Sequence, residues 1–285
     1  MTERETSDTT GDSVAAGRVL VFDSGMGGLT VAREIQRMAP ALKVDYAADT
    51  GFFPYGDKSD EALRARLPAL AEALVRDAEP DVFVIACNTA STLALEDVRA
   101  RLDIPVVGTV PAVKPAAALT KTGVIALLAT PGTIRRAYTA KLIEDFASEI
   151  TVVLHGSVEL VRLAEAVAAG EPHDADGFVK ALAPIFEAQS GEDVDTVVLA
   201  CTHFPLVRAQ LAASAPRPIT FIDSGAAIAR QTLRVLEARG EAEDKDARPG
   251  GRLYITDQGG GHERLIKVCA RFGFSDVWPP VLIEA

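Results

Sequence analysis

Two cysteines are set apart by what surrounds them. Cys87 follows the apolar run Val82-Phe83-Val84-Ile85-Ala86 and precedes Asn88-Thr89-Ala90-Ser91. Cys201 follows Thr196-Val197-Val198-Leu199-Ala200 and precedes Thr202-His203-Phe204-Pro205, and the two phrases align without a gap. A lone activated thiol beside a histidine would suggest acyl transfer. Two equivalent thiols suit a reaction that needs two equivalent bases, and racemisation is such a reaction. One thiolate takes the α-proton from one face of the substrate, and a thiol returns a proton to the other face. Reversing the handedness of the substrate only exchanges the two roles.

A free thiol titrates near ~8.5, so a thiolate at neutral pH costs roughly 2 kcal/mol. A neighbouring acid–base group removes that obstacle by accepting the thiol proton. Asp23 is the candidate for Cys87 and His203 for Cys201, with Glu165 a further candidate in the second half. Backbone N–H groups at the helix starts after Ser24 and after Asn88-Thr89 are placed to stabilise a carbanion beside a carboxylate. Asn88 and Thr202 offer donors and acceptors to an amino-acid carboxylate or ammonium. Neither a pyridoxal motif nor a metal-ligand cluster stands out, so the reaction is expected to need no cofactor and no metal. The third cysteine, Cys269, reads as a small buried hydrophobe. Three cysteines in 285 residues are no disulfide framework, and no paired CxxC or CxxH spacing suggests zinc.

The elements that must position these groups are those of an α/β chain. A continuous apolar run reads as a strand buried on both faces of a parallel sheet, and ligands bind beyond the carboxyl ends of such strands. Residues 18–22 form a first strand, which ends in Asp23-Ser24-Gly25-Met26-Gly27-Gly28-Leu29 and leads into a helix. Strand, glycine-rich turn and helix make a geometry that holds anions, although the glycines do not spell the dinucleotide pattern GxGxxG. A second strand spans 43–49. Phe53-Pro54-Tyr55-Gly56 reads as a turn with Tyr55 exposed, and residues 60–77 read as an amphipathic helix. The strand before Cys87 and a strand over 104–108 follow, and Pro111 and Pro115 mark a boundary. The pattern then restarts: strands over 123–130, 150–154 and 196–200, a short one over 219–222, then a second Asp-Ser-Gly at Asp223-Ser224-Gly225, an echo that together with the two cysteine phrases suggests duplication. Residues 239–250 form a charged linker before a last strand (252–257) and helix. The expected fold is two pseudo-symmetric α/β domains, each a mostly parallel sheet flanked by helices, with the site in the cleft between them. Residues 18–114 with 225–285 make the first domain and 115–224 the second, behind a disordered extension over 1–17.

The formal charge of −11 argues against a nucleic-acid partner, which needs a basic face. No apolar run approaches the ~18 residues of a membrane span, and the polar start of the chain lacks the core of a secretory signal. A cytoplasmic location is expected.

Asp23-Ser24-Gly25, Pro54-Tyr55-Gly56, Ala86-Cys87-Asn88-Thr89-Ala90-Ser91 and Cys201-Thr202-His203-Phe204-Pro205 resemble, in order, the signature segments of the glutamate racemase family within the aspartate/glutamate racemase superfamily. The resemblance extends over residues 18–285. It implies interconversion of L- and D-glutamate, which supplies D-glutamate for peptidoglycan, with Cys87 and Cys201 as the two proton carriers. It also implies substrate contacts from Asp23, Ser24, Tyr55, Gly56, Asn88, Thr89, Thr202 and His203. Residues 156–161 and 223–230 are similar to the enterobacterial branch, which implies UDP-N-acetylmuramoyl-L-alanine as an activator, and a homodimer is one assembly that the family suggests. Ala200 stands where glycine is commoner, and Arg135-Arg136 where smaller residues are usual. Competing readings are an aspartate racemase, whose substrate is one methylene shorter (worth only ~1–3 kcal/mol of discrimination), a gyrase-inhibiting binding role, and a non-catalytic ligand-binding protein.

Overall fold

The computed structural model of the protein describes residues 17–240, 251–256 and 262–279. Among these described residues ten strands lie in two sheets: β1 (Arg18–Asp23), β2 (Lys43–Ala48), β3 (Val82–Ile85), β4 (Val106–Val107), β5 (Val124–Ala129), β6 (Thr151–Gly156), β7 (Thr196–Leu199), β8 (Thr220–Ile222), β9 (Arg252–Ile255) and β10 (Asp276–Val277). The first sheet has the order β10-β9-β2-β1-β3-β4 and the second β6-β5-β7-β8. Every strand pairing in both is parallel.

The central strands are apolar because both their faces are covered. Val19 and Val21 of β1 pack with the helices Leu29–Met38, Gly225–Ala238 and Glu263–Arg271, while Leu20 and Phe22 pack with Asp60–Ala78 and Asn88–Arg99. Side chains alternate across a strand, so one apolar run feeds two cores. In the second sheet Ala126 and Leu128 meet the helices Glu159–Ala169 and Asp176–Phe186, and Ile125 and Leu127 meet Val113–Leu119 and Ala137–Ala147. The helix Asp60–Ala78 begins where Ser59 Oγ accepts the Ala62 N–H at 3.2 Å, and it stops at Glu79, which takes a left-handed conformation (φ 48°).

Strands β2-β1-β3-β4 and β6-β5-β7-β8 run in the same order, so the duplication read from the two cysteine phrases is a duplication of topology. The order reverses between β1 and β3 in one sheet and between β5 and β7 in the other. Those switch points are where open α/β sheets leave a crevice, and Cys87 and Cys201 stand just past β3 and β7.

Three expectations need correction. Tyr55 is buried rather than exposed, because its hydroxyl is drawn inward by Asp49 at 2.6 Å. The strand expected over 104–108 pairs only at Val106 and Val107. The second Asp-Ser-Gly is not the symmetry mate of the first. Asp23 ends β1, whereas Asp223 follows β8, whose counterpart is β4. What the two share is local: Asp23 Oδ1 accepts the Gly25 N–H at 3.0 Å, and Asp223 Oδ1 accepts the Gly225 N–H at 2.8 Å. The extension expected over 1–17 lies outside the described residues except for Gly17, and most of the linker over 239–250 lies outside them too. Among the described residues no helix is long and apolar enough to cross a membrane.

Candidate active site

The two switch points face one small cavity of about 30 Å³, and Cys87 and Cys201 both line it. Ser24, Tyr55, Gly56, Asn88, Thr89, Thr202 and His203 share the wall with them. Asp23 and Glu165 stand one layer back.

Each cysteine owes its place to an abrupt change of structure. Ala86 donates its N–H to Phe22 O at 2.8 Å, which is the last rung of the sheet before the chain turns into the helix Asn88–Arg99 with Cys87 at its N-cap. The Ala90 and Thr89 N–H groups of that helix start face the Cys87 sulfur. Ala200 makes the same rung to Leu128 O at 2.8 Å, and the chain then enters the short helix Phe204–Val207.

The charged groups differ between the halves. Asp23 is wholly buried; its Oδ2 accepts from Thr202 Oγ1 at 2.8 Å, a bond that joins the two sheets across the cleft. Burial pushes the Asp23 carboxyl up, against the pull of the His203 cation and of the Gly25 and Thr202 donors. Burial also pushes the Cys87 thiol far up, and the Asp23 charge adds to it, while the Ala90 N–H works the other way. In the second half His203 Nδ1 lies 3.9 Å from Cys201 Sγ and its Nε2 lies 3.2 Å from Glu165 Oε1. Burial disfavours the imidazolium, but the bonds to Cys201 and Glu165 outweigh it and hold His203 well above its ordinary value. One half is therefore a neutral thiol beside a carboxyl. The other is a sulfur beside a cation that a second carboxylate supports.

The glycine-rich turn after β1 serves close approach. A Cβ on Gly27 would come within 2.5 Å of both His203 Nδ1 and Thr202 Oγ1, and one on Gly28 within 2.7 Å of Asp23 Cβ. Only a residue without a side chain lets the turn sit between the two half-sites. The Gly25 N–H, read as an anion donor, is engaged by Asp23.

Several residues of the site had little signal in the sequence. Thr130, just past β5, lies 3.2 Å (Oγ1 to Oγ1) from Thr89 and 3.1 Å from Thr133, so three hydroxyls meet where the halves touch. Its place two residues past Leu128 matches that of Ser24 two residues past Phe22, the carbonyls that take the Ala200 and Ala86 N–H groups, and the repeated topology was the one pointer to it. Phe53 covers His203 with ring centroids 5.9 Å apart, and Val158 and Val161 supply an apolar wall. Arg136 of the second half reaches back to the first: its guanidinium pairs with Asp60 at 2.8 Å and donates to Thr89 O at 3.3 Å. Asn88 Oδ1 is buried in the cavity wall without a hydrogen-bond partner, an atom that a polar ligand would satisfy. Cys269 is fully buried and its thiol is pushed up to about 12 by burial.

Comparison with known proteins places these features in a group. The sequence model described as Asp/Glu/Hydantoin racemase matches residues 20–232. A glutamate racemase of Klebsiella pneumoniae is 45% identical over 256 residues, which are 90% of this chain and 89% of that protein. The crystal structure of Escherichia coli glutamate racemase in complex with L-glutamate and the activator UDP-MurNAc-Ala superposes with a TM-score of 0.86 at 42% identity, covering 94% of this chain and 99% of that one. Glutamate racemase isoform RacE1 of Bacillus anthracis superposes at 0.79 with 27% identity and covers 94% and 99%.

Proposed function

The chain belongs to the Asp/Glu/Hydantoin racemase family, and from that premise we propose that it is a glutamate racemase working by two bases without a cofactor. The observation that carries the proposal is the pair of thiols past equivalent strands, β3 and β7, on the wall of one cavity.

The His203 imidazolium, supported by Glu165, stabilises negative charge on the Cys201 sulfur. That thiolate takes the α-proton: the Cα–H bond breaks and an S–H bond forms. The resulting carbanion is delocalised into the α-carboxylate, whose developing charge meets the Thr89 hydroxyl and the start of the helix Asn88–Arg99. The Cys87 thiol, kept protonated by burial, then gives its proton to the opposite face of the carbon. The opposite enantiomer runs the same path from Cys87, with Asp23 as the neighbouring base. Asp23, Ser24, Tyr55, Gly56, Asn88, Thr89, Thr202 and His203 form the substrate-binding set of this proposal, the buried Asp23 through Thr202. A cavity of about 30 Å³ holds two or three waters at ~10–15 Å³ each, so the halves part to admit an amino acid and close over it.

Two domains are part of the reading, residues 18–114 with 225–285 and residues 115–224, each built on one of the two sheets. So is activation by UDP-N-acetylmuramoyl-L-alanine, supported by the activator bound to the E. coli relative, and with it a place in peptidoglycan synthesis. The cytoplasm suits a chain whose three cysteines are all free. A homodimer without nucleic-acid or membrane partners completes it. The test is incubation of D-glutamate in D2O with the protein and no added cofactor. Deuterium should appear at Cα as L-glutamate forms, and a product with no deuterium at Cα refutes the two-base reaction.

A further inference from the structure

We propose that Asp49 is a positioning residue, a buried carboxylate that fastens residues 50–57 as a strap across both half-sites. Asp49 follows β2, is fully buried and does not line the cavity. Its oxygens are fully subscribed. Oδ2 accepts from Tyr55 Oη at 2.6 Å and Arg66 Nε at 2.7 Å, and Oδ1 accepts from Arg66 Nη2 at 2.6 Å and Thr256 Oγ1 at 2.6 Å. The Asp49 N–H donates to Asp23 O at 3.0 Å, and Thr256 Oγ1 in turn accepts the Gly51 N–H at 3.1 Å. Four donors from three parts of the chain thus converge on one carboxylate at the root of the segment.

What the segment carries explains the investment. Tyr55 packs in the same core as Cys87. Phe53 lies over the His203 ring and directly on Gly25, where a Cβ would come within 2.8 Å of the Phe53 ring. Gly56 faces Thr130 of the other sheet, 3.4 Å from where a Cβ would stand. One short segment therefore touches the acid–base groups of both halves and closes the seam between them. The segment has little regular structure of its own, only the short helices Thr50–Phe52 and Tyr55–Asp57. Its position depends on its anchor. Arg66 clamps the anchor from outside, with its guanidinium 5.0 Å from the Phe52 ring centroid, and does not reach the cavity.

The catalytic consequence rests on the two-base reading above; the anchoring itself does not. A displacement of about 1 Å at a reacting constellation is worth up to ~100-fold in rate. Asp49→Asn keeps the shape and weakens the anchor, and Arg66→Met removes the clamp from the far side. Each is expected to lower kcat/KM for D-glutamate about 10- to 100-fold, mostly through KM, and the double variant to lose no more than the worse single one. Amide hydrogen exchange over 50–57 in the ligand-free protein should speed up in both. Thr256→Val, which removes one donor without a charge, should give a smaller loss in the same parameter. Leu236→Ala, in the buried face of the helix Gly225–Ala238, serves as a variant that lowers Tm without touching the strap, and it should leave KM unchanged. Wild-type kinetics in Asp49→Asn, additive losses in the double variant, unchanged exchange over 50–57, or an equal KM shift in Leu236→Ala would each overturn the proposal. If the wild-type protein does not racemise glutamate, the substrate assignment fails, and the exchange experiment alone decides the strap.

Discussion

Replacing Glu165 by Gln keeps the side chain's size and removes its charge. Glu165 Oε1 and His203 Nε2 are 3.2 Å apart, with side chains only 13% and 4% exposed, so water screens the pair poorly. At an effective dielectric constant of ~20 the bare attraction is about 5 kcal/mol, from which desolvation subtracts. An opposite charge at this range moves a pKa by roughly one to three units, or about 1.4–4 kcal/mol. Burial already disfavours the imidazolium, and without Glu165 it is opposed only by the bond to Cys201 and the more distant Asp23 charge. The kcat/KM profile of the wild-type protein should therefore hold into the alkaline range and fall where His203 loses its proton. In Glu165→Gln that limb should move to lower pH by roughly one to three units, with little change in the acidic limb. The stability effect carries a definite sign. Because His203 is raised when folded, the contribution of the pair is fully present below about pH 6.5 and is lost as pH rises through the folded value. The variant should thus lose more Tm at pH 6 than at pH 9. An alkaline limb that stays in place, with kcat/KM within twofold of wild type at every pH, would refute the electrostatic role given to Glu165.

Cys87→Ser and Cys201→Ser should each lower racemisation by at least ~1,000-fold, as loss of a group acting on the reacting atom does. Each should still eliminate HX from a halogenated analogue through the remaining thiol, and full racemisation by either variant in a circular-dichroism assay would contradict the two-base reading. Asp23→Asn should abolish activity and raise Tm at pH 7 by about 2–4 °C. Asp23 is raised by burial, so its contribution is present below about pH 3.9 and is lost as the group ionises through its folded value; a lower Tm at pH 7 would reverse that sign. Gly27→Ala places a methyl 2.5 Å from His203 Nδ1 and should destabilise the protein by about 1–3 kcal/mol while removing most activity; wild-type urea melting and kinetics would show that the turn does not separate the half-sites.

Much of this protein was legible in one dimension because its signals are local. An apolar run long enough for one strand, followed by a thiol and a polar pair, already states a buried strand whose end bears a reactive group. Its recurrence 114 positions later, from Cys87 to Cys201, states that there are two. His203 was legible for the same reason, being two residues from Cys201. Other features depended on distance along the chain. The Asp23–Thr202 bond joins residues 179 apart, and the Glu165–His203 bond residues 38 apart. No local pattern marks which acid meets which base, since a carboxylate in a helix reads as a solvated face until packing turns it inward. Asp49 read only as the end of a strand, and Tyr55 as an exposed turn residue; burial of their mutual hydrogen bond reversed the second reading. The repeated Asp-Ser-Gly misled because a local capping turn recurs wherever a strand meets a helix, whatever the symmetry. The chemical kinds available at the strand ends, and their doubling, were thus determined by the order of residues alone. Which of them share a cavity, and which are charged within it, was decided by the packing of two sheets. Burial and charge pairing are sums over neighbours that the linear chain does not place side by side.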